Sequence, residues 1–275
     1  MVQMAILRGK TALNRAKVQA LTAVLRPTKP SLIVLPELFS TGFLDESVLD
    51  QSDLKERSRN AFATVAQDDQ FFLSDLAKTL DAWVMGSTVE MRPRGSDGNG
   101  GFQNLSLLFA PDGSEKARYQ KIHPFSYGGE DRIFSRGNEL VTVGLGNPEP
   151  WIIQPSICYD LRFPEMFRVG SQHGAHLIVV QANWPHARQH HWETLLRARA
   201  IENQAFVVGV NCTGTQAPLK FIGGSYIFSP QGDIVAKGGE EETVIRGHIE
   251  LSDCLQWRKQ FPALRDRMPW NFFRP

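Results

Sequence analysis

Residues Trp151 to Glu165 have the sequence WIIQPSICYDLRFPE, an apolar run of β-type residues that ends at a cysteine followed by a charged turn. Such a run is typical of a strand buried on both faces of a parallel sheet, and ligands of open α/β sheets bind at the carboxyl ends of the strands. A cysteine at such an end acts as a nucleophile only as its thiolate, which needs a base or a positive charge nearby. Free cysteines also commonly serve as small buried hydrophobes. Cys158 is therefore a candidate nucleophile, with core packing as the alternative.

The rest of the chain alternates helical and β patterns, which predicts an α/β layered domain. Apolar residues spaced three and four apart predict helices, and short apolar runs bounded by turn residues predict strands. The predicted helices cover residues 12–25, 53–80, 163–172, 189–203 and 251–260. The predicted strands cover residues 1–7, 31–35, 83–91, 104–109, 116–119, 151–157, 176–181, 205–210, 221–228 and 234–249. A loop is predicted over 92–101, and Pro111-Asp112-Gly113 predicts a hairpin turn.

The amino-acid composition excludes several classes of protein. With 275 residues, 42% of them hydrophobic, and no linker-like stretch, the chain is expected to form one domain over residues 1–275. A net charge of +1 does not provide the basic face that nucleic-acid binding requires. The three cysteines are too scattered for a disulfide framework or a metal site, which fits a reducing compartment. Without a signal-peptide pattern or an 18-residue apolar run, we expect a cytoplasmic protein with no membrane partner.

Three polar residues follow predicted strands in different parts of the chain: Glu37, Lys121 and Cys158. Glu130 lies in the loop that follows Lys121. An isolated glutamate or lysine in a loop is usually only solvated, but together these groups suffice for an acyl transfer. A carboxylate can take the thiol proton and pass it to a leaving amine. A lysine ammonium can stabilise the oxyanion, with one donor contributing on the order of 3 kcal/mol, and the backbone N–H of Tyr159 is a second candidate donor.

The motifs around these residues resemble the three catalytic blocks of the nitrilase superfamily, the carbon-nitrogen hydrolases. The matching blocks are Leu35-Pro36-Glu37, Tyr119-Gln120-Lys121 and Cys158-Tyr159-Asp160-Leu161-Arg162-Phe163-Pro164-Glu165. The similarity covers nearly the whole chain. It implies Glu37 as general base, Lys121 as oxyanion stabiliser, Cys158 as nucleophile, and Glu130 as a second glutamate that positions Lys121 and substrate. It further implies a four-layer α-β-β-α sandwich that pairs into homodimers through its helical layers, with no metal or organic cofactor.

Within the superfamily, segments 182–185 (ANWP) and 198–204 (ARAIENQ) resemble the ω-amidase branch. Those enzymes hydrolyse the terminal amide of short dicarboxylic monoamides such as 2-oxoglutaramate and succinamate. A substrate of that kind needs a cationic spot for its free carboxylate. The candidate arginines are Arg132, Arg162, Arg188 and Arg199. For Arg162 and Arg199 an ion pair with a nearby glutamate is the favoured interpretation, and Trp184 is either a pocket wall or part of the core.

Two other functions stay open. The same chemistry could act on another acyl group, as in the hydrolysis of carbamoyl amines or of a deaminated-glutathione-type amide. A non-catalytic interaction protein on the same scaffold is the third possibility, but such a protein has no physical need for Glu37, Lys121 and Cys158 together.

The chain departs from the family pattern at two places. Cys212 stands after Val210-Asn211, where bacterial ω-amidases often carry arginine. If that arginine contributes to substrate binding, specificity is expected to differ here. The chain is also expected to begin inside the family's first strand.

Overall fold

The computed structural model of the chain describes residues 1–28, 30–43, 52–92, 101–146 and 150–268, with only the backbone of residues 52–63 and 92. The helices are Thr11–Thr22 (α1), Ser52–Leu80 (α2), Pro164–Gln172 (α3), Gln189–Asn203 (α4) and Leu251–Gln260 (α5). The strands are Val2–Gln3 (β1), Leu32–Val34 (β2), Trp83–Arg92 (β3), Gly101–Phe109 (β4), Glu115–Gln120 (β5), Val143–Leu145 (β6), Trp151–Ile157 (β7), Leu177–Ala182 (β8), Phe206–Asn211 (β9), Thr213–Gln216 (β10), Leu219–Ile222 (β11), Tyr226–Phe228 (β12), Ile234–Lys237 (β13) and Thr243–Val244 (β14). Most of the predicted loop at 92–101 lies outside the described residues.

Two mixed sheets form the centre of the fold. The larger sheet has six strands in the order β13-β12-β9-β8-β7-β6, and its strands β7, β8 and β9 are parallel. The smaller sheet has the order β2-β3-β4-β5, with β2 and β3 parallel and the other pairs antiparallel. Because β7, β8 and β9 are covered on both faces, they have the continuous apolar sequences that the sequence pattern indicated.

The layers follow from the alternation of side chains along a strand. On β8, Ile178 and Val180 pack with Leu196 of α4, which places helices on that face of the sheet. Val179, which points the other way, packs with Met85 of β3 in the layer between the two sheets. A fully buried aliphatic side chain of this size contributes roughly 1.5–3 kcal/mol, so both faces of the strand favour this arrangement.

The outer face of the smaller sheet is covered by helix α2. Leu73 and Leu76 of that helix are buried with Val84 of β3 and Leu105 of β4. The order of layers is therefore helix, sheet, sheet, helix, which confirms the α-β-β-α sandwich. Within the described part of the chain, no helix is both long enough and apolar enough to cross a membrane.

The C-terminal β region differs from the prediction of one strand over 221–228 and another over 234–249. Strand β11 ends at Ile222 and β12 begins at Tyr226, because Gly223 and Gly224 adopt φ of +63° and +65° and break the strand. A Cβ at Gly223 would lie 2.3 Å from Nε2 of Gln3, so only glycine fits. As a result β11 pairs with β10, β12 pairs with β13, and β14 pairs with β1.

Candidate active site

The face-to-face sheets bring the four predicted catalytic side chains together. Glu37 follows β2, Lys121 follows β5 and Cys158 follows β7, while Glu130 lies in a 3-10 turn over Glu130–Arg132. Glu37, Lys121 and Glu130 are each only 1% exposed, and Cys158 is half-buried. Groups that are far apart in the sequence thus form one charged cluster inside the protein.

The ammonium of Lys121 lies between the two carboxylates. Its Nζ donates to Oε1 of Glu37 at 2.8 Å and to Oε1 and Oε2 of Glu130 at 2.8 and 2.7 Å. A lysine ammonium has three N–H donors, and the two adjacent oxygens of one carboxylate can share a single bifurcated N–H, so the two carboxylates need only two of the three donors. The third N–H is available to an oxyanion in the pocket that Lys121 lines.

One asparagine side chain and two backbone N–H groups hold the carboxylates in place. Asn104 Nδ2 donates to Glu37 Oε1 at 2.9 Å and to Glu130 Oε1 at 3.1 Å. The backbone N–H of Asn183 donates to Glu37 Oε2 at 2.9 Å, and that of Phe125 donates to Glu130 Oε2 at 2.6 Å. Asn183 belongs to the segment 182–185 singled out above, whereas Asn104 is marked only as a polar amide at the start of an apolar run.

Cys158 sits on a strained turn that Asp160 stabilises. The φ angle of Cys158 is +47°, a left-handed conformation that side chains other than glycine rarely adopt and that is concentrated at functional sites. Asp160 Oδ2 accepts from the backbone N–H of Ile157 at 2.9 Å and from the Tyr119 hydroxyl at 2.7 Å. Its Oδ1 accepts from the backbone N–H and from Nδ1 of His123, at 3.0 and 2.9 Å. The buried carboxylate thus joins the nucleophile turn to the segment after β5.

The surroundings of Cys158 keep its thiol protonated at rest. Burial and the negative charge of Glu37 raise the pKa of Cys158 well above its usual range, and the charge of Lys121 only partly opposes them. Burial alone would lower the pKa of Lys121, but the carboxylates of Glu130 and Glu37 outweigh it and raise that pKa. Because the thiolate is the reactive form, attack requires a base that removes the proton at that moment. The buried Glu37 carboxylate is placed for such a transfer.

A pocket of about 400 Å³, open to solvent, lies over Cys158 and Lys121. Its lining includes Trp184 and Arg188, two of the predicted substrate-binding residues. Trp184 is 2% exposed, so it is both a pocket wall and part of the core. Arg132 is exposed, and it is not among the described residues that line this pocket.

The other two candidate arginines, Arg199 and Arg162, have different surroundings in the structure. Arg199 is buried and donates to the carbonyl of Leu161 and, at 2.9 Å, to Oε1 of Glu202, so the favoured structural interpretation is confirmed. For Arg162 that interpretation is wrong. Its guanidinium lines the pocket beside Trp184 instead of pairing with a glutamate among the described residues.

Cys212 lies behind the pocket. It is fully buried, and burial followed by the charge of Glu37 raises its pKa. Gln216 Nε2 donates to its sulfur at 3.8 Å, and Gln216 Oε1 accepts from the backbone N–H of Phe43, which lines the pocket. The sulfur of Cys212 is therefore linked to the pocket through Gln216.

A larger cavity, of about 1380 Å³, opens elsewhere on the smaller sheet. It is lined by polar side chains such as Gln103 and Gln120 and by the ion pair of Glu90 and Arg118. Gln103 and Gln120 hydrogen-bond to each other at 2.9 Å. Size alone would favour this cavity, but the buried charges and the thiol lie at the smaller pocket.

Comparison with known proteins agrees with this geometry. A family model described as carbon-nitrogen hydrolase matches residues 1–259. A 2-oxoglutaramate amidase of Paenarthrobacter nicotinovorans is 38% identical over 87% of this chain and 79% of its own length. A second 2-oxoglutaramate amidase, from Bacillus subtilis, is 34% identical over 86% of this chain and 84% of its own length. A solved carbon-nitrogen hydrolase superfamily protein from Xanthomonas campestris, with an arsenic adduct in its active site, superposes with a TM-score of 0.80 at 29% identity, covering 99% of this chain and 97% of that one.

Proposed function

Since this chain belongs to the carbon-nitrogen hydrolase family, we propose that it is a cysteine-dependent amidohydrolase that releases ammonia from a small carboxylate-bearing amide. The observation that supports the proposal is the packing of Glu37, Lys121 and Glu130 around one another at the base of the pocket that contains Cys158. A base, a cation and a nucleophile in one buried cluster are what acyl transfer requires.

In the first half of the reaction, Glu37 takes the proton of Cys158 as the sulfur attacks the amide carbon. The carbonyl oxygen becomes an oxyanion, which Lys121 and the backbone N–H of Tyr159 stabilise. Lys121 uses its third N–H group for this, while Glu130, both of whose oxygens contact Nζ, keeps the ammonium oriented. Glu37 then gives its proton to the nitrogen, the C–N bond breaks, and ammonia leaves a thioester on Cys158.

In the second half, water replaces ammonia. Glu37 takes a proton from the water, whose oxygen attacks the thioester carbon, and the same two donors stabilise the second oxyanion. The C–S bond breaks, the sulfur recovers a proton from Glu37, and the acid is released. The balance is one amide and one water converted to one carboxylic acid and one ammonia.

The substrate that we propose is a short dicarboxylic monoamide such as 2-oxoglutaramate or succinamate. Two relatives at 34% and 38% identity are named for 2-oxoglutaramate. The pocket also offers a guanidinium at Arg188 and an aromatic wall at Trp184, which suit a carboxylate on a short carbon chain. Arg132 is not among the described residues that line the pocket, and its role in binding stays a prediction.

We further propose that the chain is a single domain over residues 1–275 that works in the cytoplasm as a homodimer. Its three cysteines are all free, which suits a reducing compartment. Val169 on α3 and Ile201 on α4 leave apolar side chains exposed on the helical layer near the nucleophile, 37% and 50% exposed, which supports pairing through that layer.

The experiment is ammonia release from succinamate and 2-oxoglutaramate beside a carbamoyl amino acid, a deaminated-glutathione-type amide and an uncharged amide. Cys158→Ala is the control for contaminating activity. Cysteine-dependent turnover that prefers the two monoamides is expected. Preference for another amide would reject the substrate, and turnover that survives Cys158→Ala would reject the mechanism.

A further inference from the structure

The four oxygens of the two buried carboxylates differ in the number of hydrogen bonds that they accept. Oε1 of Glu37 accepts from Nζ of Lys121 and from Nδ2 of Asn104, at 2.8 and 2.9 Å. Each oxygen of Glu130 also accepts from two donors. Within the described part of the chain, Oε2 of Glu37 accepts only from the backbone N–H of Asn183, at 2.9 Å. Because a carboxylate oxygen has two acceptor positions, Oε2 of Glu37 is the oxygen with a free position.

The free position at Oε2 lies on the side of the nucleophile. Asn183, whose N–H donates to Oε2, also contacts Cys158, because its carbonyl oxygen accepts from Sγ at 3.9 Å. Burial and the charge of Glu37 raise the pKa of the Cys158 thiol, and a hydrogen bond between the thiol and the Glu37 carboxylate adds to the increase. The thiol and Oε2 therefore share Asn183 as a neighbour, whereas two donors occupy Oε1.

Ser87 of β3 holds the amide of Asn104 in place. Ser87 is fully buried, and its hydroxyl accepts from the backbone N–H of Leu38 at 3.1 Å and donates to Oδ1 of Asn104 at 3.1 Å. Since carboxylates only accept, the NH2 group of Asn104 must face Glu37 and Glu130. Its oxygen then needs the Ser87 hydroxyl as a donor. The same hydroxyl holds Leu38, the residue after Glu37, in a left-handed conformation with φ of +45°.

We propose that Ser87 and Asn104 are positioning residues of the reaction: by occupying Oε1 of Glu37, they direct the proton of the Cys158 thiol to Oε2. The inference rests on the proposed function, in which Glu37 is the base. The S–H bond breaks and an O–H bond forms at Oε2; the proton then passes to the departing nitrogen, so Glu37 returns to its carboxylate form. Neither Ser87 nor Asn104 is among the described residues that line the pocket, so both act through Glu37 and not through the substrate.

The test measures the pH dependence of kcat and kcat/KM for succinamate in Asn104→Leu and Ser87→Ala. Ser106→Ala is the matched control, because Ser106 on β4 is the cross-strand partner of Ser87 and is also buried. Its hydroxyl donates at 2.5 Å to Oε1 of Gln181, a side-chain amide that donates to the carbonyl of Leu35 and to no carboxylate among the described residues. Urea unfolding shows whether each variant is folded, and if Asn104→Leu is not, the comparison of the two serine variants decides.

Asn104→Leu removes one donor from each carboxylate and is expected to lower kcat about 100-fold or more. Ser87→Ala removes one hydrogen bond between neutral groups and is expected to lower kcat roughly 3- to 10-fold. KM should change less than about threefold in both variants, since no contact with the substrate is lost. The acid limb of the kcat/KM profile should move to higher pH by about one unit in Asn104→Leu, because a carboxylate that loses a donor binds a proton more readily.

Alkylation of Cys158 by iodoacetamide supplies a readout that is independent of amide turnover. Without the Asn104 donor, the charge of Glu37 opposes thiolate formation more strongly, so the increase in alkylation rate should shift to higher pH. That direction is opposite to the shift expected for Glu37→Gln, which removes the charge. Equal losses of activity in Ser87→Ala and Ser106→Ala, or pH profiles that Asn104→Leu leaves unchanged, would overturn the inference. If no amide is hydrolysed but the alkylation profile shifts as expected, the proposed function fails and the positioning role stands.

Discussion

Replacing Asp160 by asparagine should both destabilise the fold and impair the nucleophile. Asp160 is completely buried and accepts four hydrogen bonds, two at each carboxylate oxygen, from Ile157, Tyr119 and His123. An asparagine keeps one oxygen and places an NH2 group at the other position. One backbone N–H, of Ile157 or of His123, would then face a donor instead of an acceptor, whereas the Tyr119 hydroxyl or the His123 ring nitrogen can accept from the NH2 group.

The size of the effect follows from that lost contact. A hydrogen bond to a charged group contributes about 1.5–3 kcal/mol, so its loss predicts a decrease of about 1.5–3 kcal/mol in the free energy of unfolding. That is a large part of the 5–15 kcal/mol typical of a domain. Since the same carboxylate holds the turn in which Cys158 has φ of +47°, we also expect kcat to fall about 100-fold, as a displacement of about 1 Å in a reacting group can cause.

The assay is urea unfolding at neutral pH with the parent protein and Asp160→Asn, and with Asp233→Asn as the control. Asp233 is exposed and has a single weak side-chain contact, to Ser229 Oγ at 3.4 Å, so its change should stay within about 0.5 kcal/mol. A decrease below about 1 kcal/mol for Asp160→Asn, or an equal decrease for Asp233→Asn, would refute the reasoning.

Three further predictions concern other parts of the molecule. The rate of Cys158 alkylation by iodoacetamide, followed by mass spectrometry, should keep increasing above pH 9, because burial and Glu37 raise the thiol pKa. Glu37→Gln should shift this increase in rate to lower pH. A rate that reaches a plateau near pH 6 in the parent protein would contradict the prediction. Burial lowers the pKa of His176 from 6.5 to about 4, so between these pH values the unfolded chain binds more protons than the folded protein. The free energy of unfolding should therefore decrease as the pH is lowered through that window. His176→Asn should remove this dependence in acid-unfolding curves, about 1 kcal/mol after screening of the partly exposed ring, and equal slopes would reject it. Gly209→Ala should lower the free energy of unfolding by about 1–3 kcal/mol, because its Cβ would lie 2.4 Å from Cδ1 of Leu196; an unchanged melting curve would show that the core adjusts.

The secondary structure was largely predictable because strong periodicity reflects burial. The helix predicted at 189–203 matches α4 at both ends, and the run before Cys158 forms the buried parallel strand β7. Prediction failed where no periodicity exists. Strand β6 has three residues, too few to show an alternation, and the break at Gly223 depends on a contact with Gln3 from the other end of the chain.

That the candidate catalytic side chains lie together was predictable from strand ends and motifs, but their hydrogen-bond partners were not. Asn104 bridges Glu37 and Glu130 only because β4 runs beside β5 in the smaller sheet. Local spacing also misled the interpretation of Arg162. Glu165, three residues further on, is a plausible partner in a continuous helix, but Arg162 ends a separate 3-10 turn and α3 begins only at Pro164. Its side chain stacks on a tryptophan from another strand end instead.

The central claim is that Cys158 carries the acyl group during turnover. The most direct test is an acid quench of the enzyme with succinamate during steady-state turnover, followed by intact-mass and peptide mass spectrometry. We expect a succinyl thioester on the peptide that contains Cys158, which hydroxylamine releases and which is absent from Cys158→Ala. Two results would contradict this claim. One is steady turnover without a detectable adduct, even in the Glu37→Gln variant, whose deacylation should be slow. The other is an adduct on another residue.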